Sequence, residues 1–413
     1  MTDSNDAVSK RILRLAAALA LAQTAPMWLS GSSAGYAADV PAPSVRVQGN
    51  HLIDSSGNVL QLRGVNVSGL EFAPINGQPQ PDGWGGQKPN LSAIAAWKAN
   101  ALRVPLNEAS YLGYVCYDPP SGSVHKPDPA GDYKKQVKEL VTDATARGWY
   151  VILDLHKNAP NGTVNGKTVP IAPQSSAQNE MADADHSLAF WTAVATDFKG
   201  YPNVIFDLFN EPHLDNFNPP SRASGSNAAW TILRDGGTGK VFYGANTTFT
   251  QSWTSAGMQA MVNAVRATGA TNVLMSAGVS WAQDNSQWVQ FAPSDPLKQL
   301  ALSWHAYPKF GAKFGTPEYT FPGFDQGFTW AQAVADAGYP IIIGETGDQS
   351  SNGTTSAPFL TGLLAWADQR HVSVIGWSWN AWGSASHDLI KDAGGTPTDG
   401  QGAAFKAWLV NHK

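Results

Sequence analysis

The sequence predicts an α/β protein closed into a (β/α)8 barrel, and three observations lead there. Eight short apolar runs rich in β-formers recur at 62–67, 101–106, 150–155, 204–209, 272–275, 300–304, 340–343 and 374–379. Most are separated by segments whose apolar residues fall at helical spacing. The runs are also nearly continuous in apolar character, as strands covered on both faces must be. Strand and helix alternating eight times favours a closed parallel barrel over an open sheet.

The elements follow in order. Residues 38–46 read as a linker and 47–62 as a small N-terminal β-hairpin turning at Asp54-Ser55-Ser56-Gly57-Asn58, a cluster of turn formers. Helical patterns are expected at 92–99, 132–147, 187–198, 252–268, 329–337, 358–369 and 403–410. In the second, Val137, Leu140, Val141 and Ala144 share a face and Gly148 ends the helix. Pro358 suits a first helical position, where its missing N–H costs nothing. The connection 276–299 carries only a weak helical pattern, and 214–250 reads as one long loop after the fourth strand. One catalytic domain over 47–413 is the expectation.

The first 37 residues read as a signal peptide. Lys10, Arg11 and Arg14 precede a short apolar run, and Gly35-Tyr36-Ala37 offers small residues for cleavage. Export, to the medium or the periplasm, is therefore expected. No later run is long enough to span a bilayer. The 413 residues include a single cysteine, Cys116, so no internal disulfide forms. A net charge of −5 without a basic surplus gives no reason to expect a nucleic-acid partner. Only 14% of residues are charged while Trp numbers 16, a balance suited to neutral, hydroxyl-rich ligands as well as to a large core.

The C-terminal strand ends, where barrels of this kind build their sites, carry the chemistry. Arg103 lies on strand two, His156 ends strand three and Asn210-Glu211-Pro212-His213 ends strand four. His305 and Tyr307 end strand six, Gly344-Glu345-Thr346 strand seven, and Trp377-Ser378-Trp379-Asn380 strand eight. Glu211 and Glu345 are the decisive pair. Carboxyls about 5–5.5 Å apart support double-displacement glycoside hydrolysis, one attacking the anomeric carbon and the other moving the proton. Arg103 and Tyr307 are placed to keep Glu345 charged. There is no His-Glu-x-x-His or comparable ligand spacing, so neither a metal nor a cofactor is expected. Asp183, Asp185 and His186 precede a helix and read as its cap region. Trp84, Trp281, Trp288 and Trp382 fall in loops on the site face and are candidate sugar-stacking residues, whereas Trp97, Trp191 and Trp366 sit at core spacing.

In order and strand placement, Arg103, His156, Asn210-Glu211-Pro212, His305-Ala306-Tyr307, Gly344-Glu345 and Trp377 resemble glycoside hydrolase family 5, the cellulase family. The resemblance runs from Val47 to the C-terminus and takes in Leu62-Arg63-Gly64-Val65-Asn66. It implies a (β/α)8 TIM barrel with Glu211 as general acid/base and Glu345 as nucleophile. Asn210 is implied to bind the sugar 2-hydroxyl, His305 to sit near Glu211 and Tyr307 near Glu345. Either Trp377 or Trp379 forms the platform under the sugar, alignment favouring Trp377. Thr346 stands where an aromatic is frequent, and the loop after Pro212 is long. Trp377-Ser378-Trp379-Asn380 with Lys391-Asp392 looks like the family's endoglucanases, which favours a β-1,4-glucan as substrate; a monomer is expected. Mannan, xyloglucan, β-1,3-glucan and short β-glucosides are the alternatives. A non-catalytic carbohydrate-binding barrel predicts loss of one glutamate, and a phosphate-binding barrel predicts glycine-rich loops after strands seven and eight.

Overall fold

The computed structural model of the protein describes residues 43–72, 88–118, 121–129, 131–172, 178–214, 227–242, 250–308, 325–348, 357–383 and 387–412. The expected leader at 1–37 and Trp84 lie outside the described residues.

Eight parallel strands close a barrel. They are β1 Arg63–Asn66, β2 Ala101–Asn107, β3 Tyr150–Lys157, β4 Val204–Asp207, β5 Leu274–Ala277, β6 Leu300–Ala306, β7 Ile341–Thr346 and β8 Ser373–Gly376. Each pairs with its sequence neighbours, and β8 returns to pair with β1. All eight sequence runs therefore became barrel strands, shifted at most by a few residues.

Side-chain alternation along these strands makes two cores. Outward-facing Leu102, Val104, Leu153, Phe206, Leu274, Leu302, Trp304 and Val374 pack in one large cluster with the surrounding helices. Inward-facing Ala101, Ile152, Ile205, Met275, Ala301, Ile342 and Ile375 form a separate apolar layer inside the barrel. The N-terminal residues close that layer from below: Val45 and Leu52 belong to the same cluster, and the Val45 N–H donates to the Pro202 carbonyl at 3.0 Å. Val45 is thus part of the barrel's packing although the sequence placed it in a linker. The expected hairpin is a three-stranded sheet, Arg46–Gln48, His51–Ile53 and Val59–Leu60. Asp54 Oδ1 tightens its second turn by accepting the Ser56 and Asn58 N–H groups, each at 2.8 Å.

Three sequence expectations need correction. The stretch 214–250 is not one long loop: it holds the helix Ala228–Asp235 and the strand Gly237–Phe242, which pairs antiparallel with Thr250–Ser255. That strand takes the first residues assigned to the next helix, which runs Met258–Ala267. The weak helical pattern at 276–299 resolves into two single turns, Val279–Ala282 and Trp288–Phe291. Two further antiparallel pairs, Cys116–Asp118 with Ser123–His125 and Asn161–Val164 with Lys167–Pro170, extend the loops after β2 and β3.

Candidate active site

Strand parity places the polar residues one layer above the apolar floor. Moving two residues along each strand leads from Ala101 to Arg103, from Ile152 to Asp154 and His156, from Ile205 to Asp207, and from Ala301 to Ser303 and His305. On β7 the register shifts after Ile343, which brings Glu345 opposite His305. Gly344 makes room for this crowding. A Cβ there would lie 3.2 Å from His305 Nε2 and 3.5 Å from Arg103 Nε.

Arg103 is fully buried and organises the layer. Its Nε lies 3.0 Å from Asp207 Oδ2, and its Nη2 lies 3.1 Å from Asp154 Oδ2 and 2.7 Å from Asn210 Oδ1. Nη1 donates to Glu345 Oε1 at 2.8 Å and to Asn66 Oδ1 at 3.0 Å. Burial works against the charge on the guanidinium, but Asp154, Asp207 and Glu345 outweigh it and hold Arg103 protonated. Both aspartates are pushed by burial up to about 7, with Arg103 opposing.

The two glutamates meet above this cation. Their nearest carboxylate oxygens and a His305 nitrogen all lie within 4.8 Å of one another. Glu345 accepts from Arg103 and, at 3.2 Å, from the Tyr307 hydroxyl. Glu211 Oε1 lies 2.9 Å from His305 Nδ1, and its Oε2 accepts from Gln178 Nε2 at 3.0 Å. Burial pushes both glutamates up to about 7. What separates them is the directly bonded cation on Glu345, whereas among the described residues the Glu211 carboxylate bonds to the neutral His305 and Gln178. Glu345 is therefore the carboxylate that ionises first. Burial drives both His305 and His156 down to about 3, so both rings are neutral. His156 Nδ1 sits 2.7 Å from Asp154 Oδ2, which fixes that ring in place.

The tryptophans divide cleanly. Trp377 is half-buried and lies parallel to the His156 ring, 5.8 Å between centroids. Trp379 is 3% exposed and packs edge-on against Trp97 at 4.7 Å. The expectation that it could touch sugar is corrected: β8 ends at Gly376, so strand parity no longer relates the two residues. Trp288 is likewise core, its indole N–H donating to the Ser276 carbonyl at 2.8 Å. Trp281 is half-buried and stacks face to face on His213, 3.6 Å apart, two residues beyond Glu211. Trp382 is 44% exposed, with Phe72 nearby. Trp97, Trp191 and Trp366 are buried as expected.

Asp154, Asp207 and Gln178 were not singled out from sequence. The first two carried a signal, a lone aspartate at inward parity within an apolar strand. Gln178 lies in a loop and carried none. The expected cap region also holds more than a cap. Asp183 Oδ1 accepts the His186 N–H at 2.7 Å, but its carboxyl is buried beside that of Glu108. Burial and the neighbouring acid raise Glu108 well above the usual carboxylate range. Among the described residues, Glu108/Asp183/His186 and Glu211/His305/Glu345 are the groups whose donor atoms are close enough to hold a cation.

Comparison with known proteins agrees with this geometry. Residues 53–383 match the family Cellulase (glycosyl hydrolase family 5). The chain is 26% identical over 356 residues to Endoglucanase 1 of Saitozyma flava, covering 82% of this chain and 86% of that protein. It is 23% identical to the mannan endo-1,4-beta-mannosidase of Streptomyces lividans, covering 85% and 70% respectively. Endoglucanase MaCel5A of Microbulbifer sp. is 30% identical over 172 residues, of which this chain spans only 26% of the relative's length. Among solved structures, the beta-glucanase SdGluc5_26A of Saccharophagus degradans in complex with cellotetraose superposes with a TM-score of 0.58 at 21% identity, over 90% of this chain and 94% of that one. An eight-stranded barrel with two glutamates converging over a buried arginine, matched along most of its length, is a glycoside hydrolase, and this chain belongs to the cellulase family, glycosyl hydrolase family 5.

Proposed function

We propose that the protein is an exported, retaining endo-β-1,4-glucanase, with Glu345 as nucleophile and Glu211 as acid/base. The observation that carries the reading is the short gap between the two glutamates, with the cation on one side only. Inverting enzymes leave room for a water, with carboxyls about 6.5–9.5 Å apart; retaining ones hold them at about 5–5.5 Å.

In the first step Glu345 attacks the anomeric carbon while Glu211 donates its proton to the departing glycosidic oxygen. Arg103 and Tyr307 keep the attacking carboxylate charged and aimed. Once the ester forms, the negative charge facing Glu211 is gone, so Glu211 stays ionised after giving up its proton; as the carboxylate it then takes a proton from water, whose oxygen attacks the anomeric carbon, breaks the bond to Glu345 and releases the sugar. Asn210, with its oxygen held by Arg103, offers the sugar 2-hydroxyl the N–H that lies 3.3 Å from His156 Nε2, the longer of its two contacts, and Trp377 supplies a flat apolar face under the ring. Half-buried Trp281 and exposed Trp382 supply stacking faces farther out.

Purified protein assayed on carboxymethyl cellulose, mannan, xyloglucan, laminarin and aryl glycosides tests the substrate. The expected result is a fast loss of viscosity on the cellulose polymer relative to reducing ends, with the β-anomer seen first by proton NMR. An α-anomer first rules out the covalent mechanism. A second reading, mannan as substrate, is favoured by the similarity to the Streptomyces lividans enzyme, and dominant activity on mannan in the same screen selects it. Export is supported by the basic, apolar and small-residue pattern of the first 37 residues; N-terminal sequencing of secreted protein, expected to begin near Ala38, tests it.

A further inference from the structure

Gln178 bridges two members of the site. Its Oε1 accepts from Asn210 Nδ2 at 2.8 Å and its Nε2 donates to Glu211 Oε2 at 3.0 Å. We propose that Gln178 is a positioning residue for Glu211, held as an obligate donor by a one-way hydrogen-bond chain that begins at Arg103. The proposal rests on the reading of Glu211 as acid/base.

The direction of the chain follows from what each group has to offer. A guanidinium has N–H donors and no acceptor. Arg103 Nη2, 2.7 Å from Asn210, therefore requires the oxygen of that amide to face it. The Asn210 nitrogen is turned the other way, 2.8 Å from Gln178 and 3.3 Å from His156 Nε2. His156 receives it as an acceptor, because Nδ1 of the neutral ring is committed to Asp154. Facing a nitrogen donor, Gln178 must present its oxygen, which leaves only its nitrogen for Glu211. Flipping Gln178 sets donor against donor at Asn210 and oxygen against carboxylate at Glu211, and flipping Asn210 sets donor against donor at Arg103 and oxygen against oxygen at Gln178.

The other oxygen of Glu211 is served in the same sense. His305 is a neutral ring with one N–H, and its Nε2 is buried with no hydrogen-bond partner among the described residues. An orphaned buried donor costs more than an orphaned lone pair, so the hydrogen sits on Nδ1 and points at Glu211 Oε1. Each carboxylate oxygen thus receives one neutral donor. Those donors favour the ionised form against burial, and they confine the catalytic proton to the lone pairs they leave free. Among the described residues, the remaining groups acting on Glu211 are Arg103, which favours its ionised form, and Glu345, Asp154 and Tyr307, which share its field.

The test is the pH profile of kcat/KM for Gln178→Ala and Gln178→Glu beside the unaltered enzyme, with melting curves for all three. The alkaline limb reports the proton on Glu211. Losing one donor to a carboxylate is expected to move that limb up by about one to two pH units in Gln178→Ala. Gln178→Glu keeps an acceptor toward Asn210 but replaces the donor with an oxygen, so its limb is expected to move farther. Limbs that coincide with the unaltered enzyme, whether or not melting temperatures fall, overturn the proposal and leave Gln178 a packing residue. Limbs that coincide while KM drops also overturn it, and make Gln178 an obstacle to sugar. Glu211→Ala on an activated aryl glycoside separates the two levels of inference. There the limb is expected to vanish; if it persists, the assignment of Glu211 itself fails.

Discussion

Asp154 and Asp207 stand side by side on adjacent barrel strands, and both reach the same Arg103 guanidinium. Each keeps one buried oxygen, Oδ1, with no hydrogen-bond partner among the described residues. Two acids and Glu345 thus share one cation, which is too little positive charge for all to ionise easily. Burial accordingly pushes both aspartates from 3.8 to about 7. In the unfolded chain they release their protons near 4, while the folded protein holds them until about 7. Unfolding therefore releases protons in that window, and these groups' contribution to stability, full below about 4, is lost as pH rises through about 7. Thermal melts across that range are expected to show a shallower fall, or a steeper rise, with pH in Asp207→Asn than in the unaltered protein. Parallel curves would mean that the aspartates are ionised throughout.

The two glutamates are expected to fail in distinguishable ways. Glu211→Ala should lose roughly 10²–10⁴-fold on substrates whose leaving group needs a proton, and less on activated aryl glycosides. Azide should rescue it as the β-glycosyl azide, and should rescue Glu345→Gly as the α-glycosyl azide. Product NMR reads this directly, and exchanged configurations reverse the assignment.

Tyr307→Phe removes one donor from Glu345 and leaves Arg103 in place. A hydrogen bond to a charged group is worth about 1.5–3 kcal/mol, so kcat/KM should fall about tenfold to a hundredfold. In the proposed mechanism Glu345 works as the anion. With a donor gone its proton is held more tightly, and the acidic limb of the profile should move to higher pH. A limb that stays put would show that Arg103 alone sets the charge.

The tryptophans give opposite expectations at similar cost in side-chain volume. Trp379→Ala empties a core position and should cost about 3–5 kcal/mol of stability, read by denaturant titration. Trp281→Ala should leave stability nearly intact and raise KM on a cellulose polymer, with little effect on a short aryl glycoside. A large stability loss at Trp281 would make its stack on His213 structural.

The barrel was legible because both of its periods are written in the chain: apolar runs for strands, three-to-four spacing for helices. The site was legible where a polar or ionisable residue breaks that pattern, inside strand two at Arg103 and at strand ends at Glu211, His305 and Glu345. It was less legible where two demands overlap in one strand. Asp154 and Asp207 sit inside runs that read as apolar, and only the inward parity they share with Ile152 and Ile205 marks them. Trp379 and Trp288 were ambiguous because a loop position says nothing about which way the ring turns. Trp379 turns to Trp97, and Trp288 turns back over β5. Gln178 was beyond reach, since its partners are set by a loop excursion that no local pattern encodes.

The residues that close the barrel from below have a practical bearing on where this protein is cut. The family match begins at residue 53, after Val45 and Leu52. A recombinant fragment started at that boundary would keep every residue of the catalytic cluster and still lose its underside. Leu62, Tyr150, Ile205 and Ile342 would meet water, about 25 cal/mol for each Å² uncovered, and the hole would offer neighbouring molecules an apolar surface to stick to. A fragment begun at residue 43 would retain that cover. Paired expression of the two fragments would show it as soluble yield before any substrate is added.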